Sequence, residues 1–365
     1  MKTKALQRIL SVEPYKPGKP IEEVRRELGI RQVIKLASNE NPYGPSPKVV
    51  RAIAQAAKTV NRYPDGSCYY LRKALARRLK IPEDQLIFGN GSDEIIVLLV
   101  RALVEEGDEV VVARPSFLIY ELASKLAGAV IRSVALKNFR YDLDGMLAAV
   151  SERTKIIFIG NPDNPAGTYI PADELEAFLS KISSEVVVII DEAYFEYVRA
   201  KDYPGSLKLL ERFSNLLVTR TFSKMYGLAG LRIGYGIARP ELIDVLNRLR
   251  EPFNVNSLAQ VAAVACLDDR AYYRKIAVDI ERQRKFFYRE LKKLPIKFYE
   301  SVTNFILIEC RQGGQAVANQ LMRRGVIVRD MGFWGLKNFI RVTLGTASEN
   351  RKFITELKSV LSKSG

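Results

Sequence analysis

The 365-residue sequence contains no histidine, and this absence removes several kinds of chemistry at once. Histidine is the usual general base near neutral pH, the base of the serine and cysteine triads, and a common zinc ligand. Enzymes built on those triads and histidine-ligated metal sites are therefore excluded, and we predict no metal centre. Acid–base chemistry has to come from lysine, tyrosine, cysteine, aspartate, glutamate or a cofactor.

Cysteine is scarce, and long apolar runs are missing. The chain has three widely spaced cysteines without a CxxC pair: Cys68, Cys266 and Cys310. We expect free thiols in a reducing compartment. The longest aliphatic runs, such as 95–100, are too short to span a bilayer, and Gln7 and Arg8 interrupt the short apolar stretch at the start, so it does not resemble a signal peptide. These features predict a cytoplasmic globular protein of about two domains with no membrane contact.

Acidic residues are outnumbered, with 57 lysines and arginines against 41 aspartates and glutamates, for a net charge of +16. Such a charge favours acidic partners, whether phosphate metabolites, nucleic acid or a membrane surface. The densest basic stretch, 282–297, is interrupted by glutamate and aromatic residues at helical spacing. We interpret it as a solvated helix face and predict that the partners are small molecules rather than nucleic acid.

Short β-branched runs alternate with amphipathic stretches through the first two thirds of the chain, which predicts a parallel sheet covered by helices on both faces. The predicted strands are 109–113, 155–159, 186–190 and 216–219, and the predicted helices are 92–105, 117–126 and 172–182. The fold class is therefore α/β.

After Pro252 the pattern changes to a long helical stretch, shorter strands and a final helix. The helical stretch covers about 258–294, the strands are 304–308, 326–329 and 339–342, and the final helix begins near Ser348. We predict a smaller α+β domain at 256–365 and a large domain at 41–255. The Pro- and Gly-rich segment 1–40 is expected to pack on the small domain or on a neighbouring subunit.

Ligands of parallel sheets bind beyond the carboxyl ends of the strands, so the residues that follow each strand are the candidates for function. Four such segments stand out: GNGSDEI at 89–95, NPDNPAGT at 161–168, DEAYFEY at 191–197 and TFSKMYGLAGLRIGY at 221–235. In the first of them, small residues open a helix whose free N–H groups can bind a phosphate, although an ordinary helix cap fits equally well.

Asp191 and Lys224 are the strongest candidates among single residues. Asp191 follows five β-branched residues, and a carboxylate at the buried mouth of a sheet needs a cation or a hydrogen-bond donor, although it could also cap a helix. A lysine desolvated among cations becomes an amine nucleophile. Lys224 could equally be a surface lysine, but Ser223 and Arg232 in the same segment supply phosphate-binding groups.

Taken together, these segments resemble the fold-type I, pyridoxal-phosphate-dependent aminotransferases of class I and II, and within them the branch that acts on histidinol phosphate. The resemblance implies that the sheet of the large domain is mostly parallel and has seven strands. The resemblance extends over nearly the whole chain and rests on segments in this order: EPYKPGKP, KLASNENPYGPSP, NRYPDG, GNGSDE, RPSF, NPDNPAG, DEAYFEY, TFSKMYGLAGLRIGY, VIVRDM and NFIRVTLGT. Departures from the usual pattern lie at Asp163, Ala166, Met225 and Tyr226 and in GSCYY at 66–70.

The resemblance implies how several residues of these segments would contact the cofactor pyridoxal 5'-phosphate. Lys224 would bind it covalently and move the reacting proton, and Asp191 would keep the pyridine nitrogen protonated. Asn164 and Tyr194 would contact its phenolic oxygen. Phe117 would stack on the ring. The phosphate would be held by Ser92, Asp93, Ser223 and Arg232, with Tyr63 reaching it from the other subunit of a homodimer with shared active sites.

For the substrate, the resemblance implies Arg341 and Arg329 as anion-binding groups, with Tyr15 and Asn39 lining the same pocket. Two guanidinium groups suit a phosphate dianion better than one carboxylate. The implied reaction interconverts L-histidinol phosphate and 2-oxoglutarate with imidazole-acetol phosphate and L-glutamate. Three alternatives stay open: an aromatic amino-acid aminotransferase, a threonine-phosphate decarboxylase, and a basic nucleic-acid-binding protein on an inactive enzyme scaffold.

Overall fold

The computed structural model describes residues 7–10, 12–14 and 18–362. The strands of this part of the chain are Ile34–Leu36 (β1), Leu86–Gly89 (β2), Glu109–Arg114 (β3), Val130–Ala135 (β4), Thr154–Gly160 (β5), Val187–Asp191 (β6), Leu216–Thr221 (β7), Gly234–Ala238 (β8), Lys297–Tyr299 (β9), Phe305–Glu309 (β10), Val326–Asp330 (β11) and Phe339–Thr343 (β12). Its α-helices are Gln7–Leu10 (α1), Ile21–Leu28 (α2), Pro47–Ala56 (α3), Tyr69–Leu79 (α4), Ser92–Leu103 (α5), Leu118–Ala127 (α6), Leu143–Ala148 (α7), Ala172–Leu179 (α8), Ser206–Arg212 (α9), Pro240–Leu249 (α10), Ser257–Leu267 (α11), Arg270–Leu291 (α12), Gly314–Met322 (α13) and Ala347–Ser362 (α14).

The larger sheet has seven strands in the order β2-β8-β7-β6-β5-β3-β4. Only β8 runs antiparallel to its neighbours, so the predicted α/β fold with a mostly parallel seven-stranded sheet is confirmed. All six residues of β7 are buried, as expected for a central strand that is covered on both faces. Apolar side chains on the two faces of this sheet belong to two separate core clusters.

The structure differs from the sequence interpretation at one predicted helix and at five strands, since β1, β2, β4, β8 and β9 were not predicted. The predicted helix over 258–294 is two helices, α11 and α12, which are separated at Asp268 and Asp269. Strand β8 was not predicted because its sequence, GYGIA, has two glycines and little β-branched character. Glycine is required there: a Cβ at Gly234 would overlap the backbone nitrogen of Ser92.

The second sheet has five strands in the order β1-β11-β12-β10-β9. Strand β1 comes from the N-terminal segment and pairs in parallel with β11, with Ile34 opposite Val326. Helix α1 lies against α6, where Arg8 Nε donates a hydrogen bond to the carbonyl of Leu126 at 3.2 Å. The N-terminal segment therefore contacts the smaller sheet through β1 and a helix of the large predicted domain, α6, through α1. The predicted domain boundaries at residues 40 and 255 stay a prediction.

The topology brings the carboxyl ends of β5, β6 and β7 to one edge of the larger sheet. Asp191, the last residue of β6, is in register with Gly160 of β5 on one side and with Thr219 of β7 on the other. The smaller sheet faces this edge, since Asn39 contacts Thr343 of β12 as well as Tyr194. Within the described ranges, no helix is long and apolar enough to cross a membrane.

Candidate active site

The side chain of Asp191 is buried at the base of a cavity of about 360 Å³. It accepts hydrogen bonds from the Tyr120 hydroxyl at 2.8 Å, the Thr219 hydroxyl at 3.2 Å and the Ala193 amide at 3.2 Å. Burial raises the pKa of this carboxyl to about 6, and the negative charge of Asp93 adds to the rise against the effect of these hydrogen bonds. The site therefore holds a carboxylate that a cation would stabilise.

An anion-binding cup lies at the N-terminus of α5. Gly91 precedes this helix with φ +88°, and a Cβ on it would overlap the guanidinium of Arg232, so the cup can form only around glycine. Arg232 lies 3.3 Å from the Asp93 carboxylate and 3.5 Å from the Ser223 hydroxyl. Free N–H groups, the positive helix end and a guanidinium together could hold a phosphate.

Lys224 lies between the two sheets. Its Nζ donates to the carbonyl of Ser38 at 3.4 Å and lies 5.7 Å from the centre of the Tyr194 ring. Tyr194 is fixed in turn by Asn39, whose Nδ2 donates to the Tyr194 hydroxyl at 3.0 Å. Asn39 is 1% exposed and has φ +56°, a conformation that its bonds to β12 and to Asn304 maintain. The amine is thus presented beside a buried phenol.

Asn164 and Arg341 are joined directly although they lie 177 positions apart, since Arg341 Nη1 donates to Asn164 Oδ1. Arg341 Nη2 also donates to the carbonyl of Ala37 at 3.1 Å. This leaves the amide nitrogen of Asn164 to face a ligand. The neighbouring Asp163 is buried and stabilises the loop that carries Asn164, because its carboxylate accepts hydrogen bonds from Ser116, Tyr141 and the Ala166 amide. Burial raises the pKa of Asp163 to about 7.

All but two of the residues predicted for the site line this one cavity. They are Asn39, Ser92, Asp93, Phe117, Asn164, Asp191, Tyr194, Ser223, Lys224, Arg232, Arg329 and Arg341. Tyr63 does not line it; this side chain is 84% exposed and stacks on Phe253 with the ring centres 4.9 Å apart. Tyr15 lies outside the described residues.

Among the lining residues that the sequence analysis missed, Tyr120 and Trp334 make side-chain hydrogen bonds at the site. Tyr120 lies one helical turn after Phe117, and that spacing could have identified it as a neighbour of the same ligand. Trp334 lies five positions after Arg329 in an irregular turn, and no local pattern distinguishes it. Its indole Nε1 donates to the carbonyl of Ser116 at 3.1 Å, across the cleft between the two sheets.

This set of donors fits pyridoxal phosphate, the cofactor that the resemblance implies. A buried carboxylate matches a protonated ring nitrogen, the cup at α5 matches a phosphate, and an amine matches an aldehyde. The flat ring of Phe117, at the start of α6, lines the cavity between them. Among the described residues, no cluster of histidine, cysteine, aspartate or glutamate could hold a metal ion.

Comparison with known proteins agrees with this geometry. Residues 31–357 match the family model "Aminotransferase class I and II". The histidinol-phosphate aminotransferase of Moorella thermoacetica is 47% identical over 98% of this chain and 93% of its own length. Histidinol-phosphate aminotransferase 2 of Carboxydothermus hydrogenoformans is 47% identical over 99% of both chains. Among solved structures, histidinol-phosphate aminotransferase from Sinorhizobium meliloti in complex with pyridoxal-5'-phosphate superposes with a TM-score of 0.93, 29% identity, and coverage of 100% of this chain and 99% of the other.

Replacing Asp191 by asparagine should stabilise the cofactor-free protein at pH 8. Because the pKa of Asp191 is about 6 in the folded protein and 3.8 is its ordinary value, the folded state holds a proton that the unfolded state has lost between these two pH values. The free energy of unfolding therefore falls as pH rises through that window and stays low above it. The variant avoids this cost, which is on the order of 3 kcal/mol at pH 8.

Urea unfolding of the cofactor-free wild-type protein and variant at pH 8 and at pH 4 measures this difference, which should disappear at the lower pH. Asp244→Asn is a matched control, because Asp244 is 64% exposed and its pair with Arg248 lies on a solvated helix. Equal pH dependence of wild type and Asp191→Asn would contradict the burial argument.

Proposed function

The chain belongs to the class I and II aminotransferases, and we propose that within this family it interconverts L-histidinol phosphate and 2-oxoglutarate with imidazole-acetol phosphate and L-glutamate, using pyridoxal 5'-phosphate. One observation carries the proposal. A single cavity is lined by a buried carboxylate, an amine, the groups of the anion-binding cup and two arginines, and this supports the proposal. No histidine is required, because a lysine and the cofactor can perform the proton transfers.

When bound, pyridoxal phosphate supplies an aldehyde that accepts the amino group and a ring that withdraws electrons from the substrate Cα. The Asp191 carboxylate would hold a proton on the ring nitrogen, and Tyr120 and Thr219 orient that carboxylate through their hydroxyls. The Lys224 amine would hold the cofactor and would move the reacting proton at the substrate Cα. Tyr194 would contact the phenolic oxygen of the ring.

Other residues bind and orient without moving protons. Arg232, Ser223 and the first amides of α5, at Ser92 and Asp93, bind the cofactor phosphate. Asn164 donates its amide to the phenolic oxygen.

Phe117 packs on the ring face, and this packing helps to exclude water from it. Asn39 positions the Tyr194 hydroxyl and lines the substrate side of the cavity.

Arg329 and Arg341 bind the anionic end of the substrate. They lie opposite each other on the antiparallel strands β11 and β12. Two fixed guanidinium groups can share the oxygens of one phosphate dianion, and this favours a phosphorylated amino alcohol over an aromatic amino acid. Glutamate and 2-oxoglutarate would use the same arginines through a carboxylate.

We further propose a cytoplasmic homodimer in which Tyr63 completes the partner's phosphate cup. Exposed aromatic side chains support an interface: Tyr63 is 84% exposed, Tyr70 is 78% exposed and Phe253 is 46% exposed. Tyr63 does not line the cavity of its own chain. The three cysteines are buried free thiols, which suits a reducing compartment.

Substrate preference tests the proposed reaction. The holoenzyme should turn over histidinol phosphate with 2-oxoglutarate at a kcat/KM at least about 100-fold above that for phenylalanine, because a site built for a phosphate loses those contacts with an analogue that lacks it. Steady-state assays with each donor measure the ratio, together with carbon dioxide release from threonine phosphate, which should be absent. Lys224→Ala is the inactive control, and it should also lose the borohydride-trappable bond to the cofactor. Equal or better use of phenylalanine, or release of carbon dioxide, would contradict the assignment.

Mixing two inactive or weakened variants tests the shared site. In a heterodimer of Lys224→Ala and Tyr63→Ala chains, one of the two sites has both defects and the other has neither. Random exchange should therefore restore about a quarter of the wild-type activity. Activity is measured after co-expression of differently tagged chains, with each variant alone as reference. If the mixture is no more active than the average of the two variants, Tyr63 acts within its own chain or not at all.

A further inference from the structure

Trp334 is the only tryptophan of the chain, and it lies where the two sheets meet. It ends the short turn Gly332–Trp334 that follows β11, is 9% exposed, and lines the cavity of the candidate site. The same side chain also borders a second cavity of about 560 Å³, next to Phe117 and Leu118. The roles proposed above leave this residue without a function.

The two substrate arginines next to it are placed in an unfavourable way. Arg329 and Arg341 are directly opposite partners in the antiparallel pair of β11 and β12. Like charges at directly opposite positions repel each other and destabilise the strand pair. A fold that keeps both charges there needs groups that offset the repulsion in the absence of substrate and keep the two guanidinium groups facing the same anion.

The indole ring of Trp334 contacts both charges. The Arg329 guanidinium carbon lies 5.0 Å from the centre of this ring, and that of Arg341 lies 5.9 Å away. A cation within about 6 Å of an aromatic face is attracted by the ring quadrupole, and tryptophan gives the strongest attraction. Arg341 has further contacts with Phe305 at 5.2 Å, with Asn164 and with the carbonyl of Ala37. The ring is therefore a contact that the two arginines share.

The ring itself is positioned from the other side of the cleft. Its Nε1 donates to the carbonyl of Ser116 at 3.1 Å, and Ser116 directly precedes Phe117, the proposed ring-stacking residue. Trp334 also belongs to a small apolar cluster with Leu307 and Met331, and Leu118 of α6 packs against this cluster. Trp334 thus connects the anion-binding strands with the segment that faces the cofactor, and its orientation does not depend on the arginines alone.

We propose that Trp334 is a positioning residue that sets the preference for a doubly charged substrate. Its ring face offsets the repulsion between Arg329 and Arg341 and keeps both within reach of one phosphate dianion. A carboxylate, with a single charge, depends less on this arrangement, because Arg341 has its own contacts with Asn164 and Ala37. This inference rests on the proposed function and extends it to the selection of phosphate monoesters over carboxylates.

Three holoenzyme variants test the role of the ring. Trp334→Leu removes the aromatic face, so the KM for histidinol phosphate should rise about 10- to 30-fold. In this variant kcat should stay within about twofold of wild type, and the KM for glutamate should rise by about threefold at most. Trp334→Phe keeps an aromatic face and loses only the indole N–H, so the KM for histidinol phosphate should rise by about threefold. Phe333→Leu, in the same turn and 40% exposed, is the matched control and should stay within about twofold.

Calorimetric titration of the same holoenzymes with inorganic phosphate gives a readout that does not depend on turnover. Phosphate should bind Trp334→Leu about tenfold or more weakly than wild type, and Phe333→Leu unchanged. If the wild-type enzyme failed to use histidinol phosphate, the proposed function would fail, and this titration would still decide the role of Trp334. Three results would overturn the inference: an unchanged affinity for phosphate in Trp334→Leu, an equal rise in KM for both donors, or a loss in Trp334→Phe as large as in Trp334→Leu.

Discussion

The buried carboxylate of Asp191 is the constraint on which the rest of the site depends. It closes a central strand of the larger sheet, where burial raises its pKa to about 6 and three hydrogen bonds only partly offset the cost. A neutral residue at this position would make the cofactor-free fold more stable. A cation in front of the carboxylate would offset this cost, and a protonated pyridine ring would supply one. Stability without the cofactor is thus exchanged for binding and catalysis with it.

At the substrate end of the cavity, two positive charges lie close together and would be stabilised by a ligand of the opposite charge. Arg329 and Arg341 repel each other across two paired strands, and a dianionic substrate would turn that repulsion into binding energy. Between the two ends, the Asn164–Arg341 hydrogen bond connects a residue proposed for the cofactor with one proposed for the substrate. The net charge of +16 is consistent with ligands that carry phosphate at both ends of one cavity.

Local signals in the sequence predicted much of the fold and several residues of the candidate site, and the resemblance supplied the rest, including Phe117, Arg329 and Arg341. The β-branched run 186–190 ends directly before Asp191. The short segment GNGSDE contains several candidate phosphate-binding groups within one turn. What the sequence did not predict depends on distant partners or weak patterns. The glycine-rich β8 lacks the β-branched character of a buried strand, and the break at Asp268 and Asp269 lies inside an otherwise continuous helical pattern. The contact of Trp334 with Ser116 joins residues 218 positions apart, and only the folded chain brings them together.

The most direct test of this account is the protonation state of the ring nitrogen, measured by nitrogen-15 NMR on holoenzyme reconstituted with ring-labelled pyridoxal phosphate. The account predicts a protonated nitrogen in the wild-type enzyme at neutral and mildly alkaline pH, and an unprotonated one in Asp191→Asn, with the cofactor still bound in both. An unprotonated nitrogen in the wild-type enzyme at neutral pH, or an identical signal in the variant, would contradict the role of Asp191.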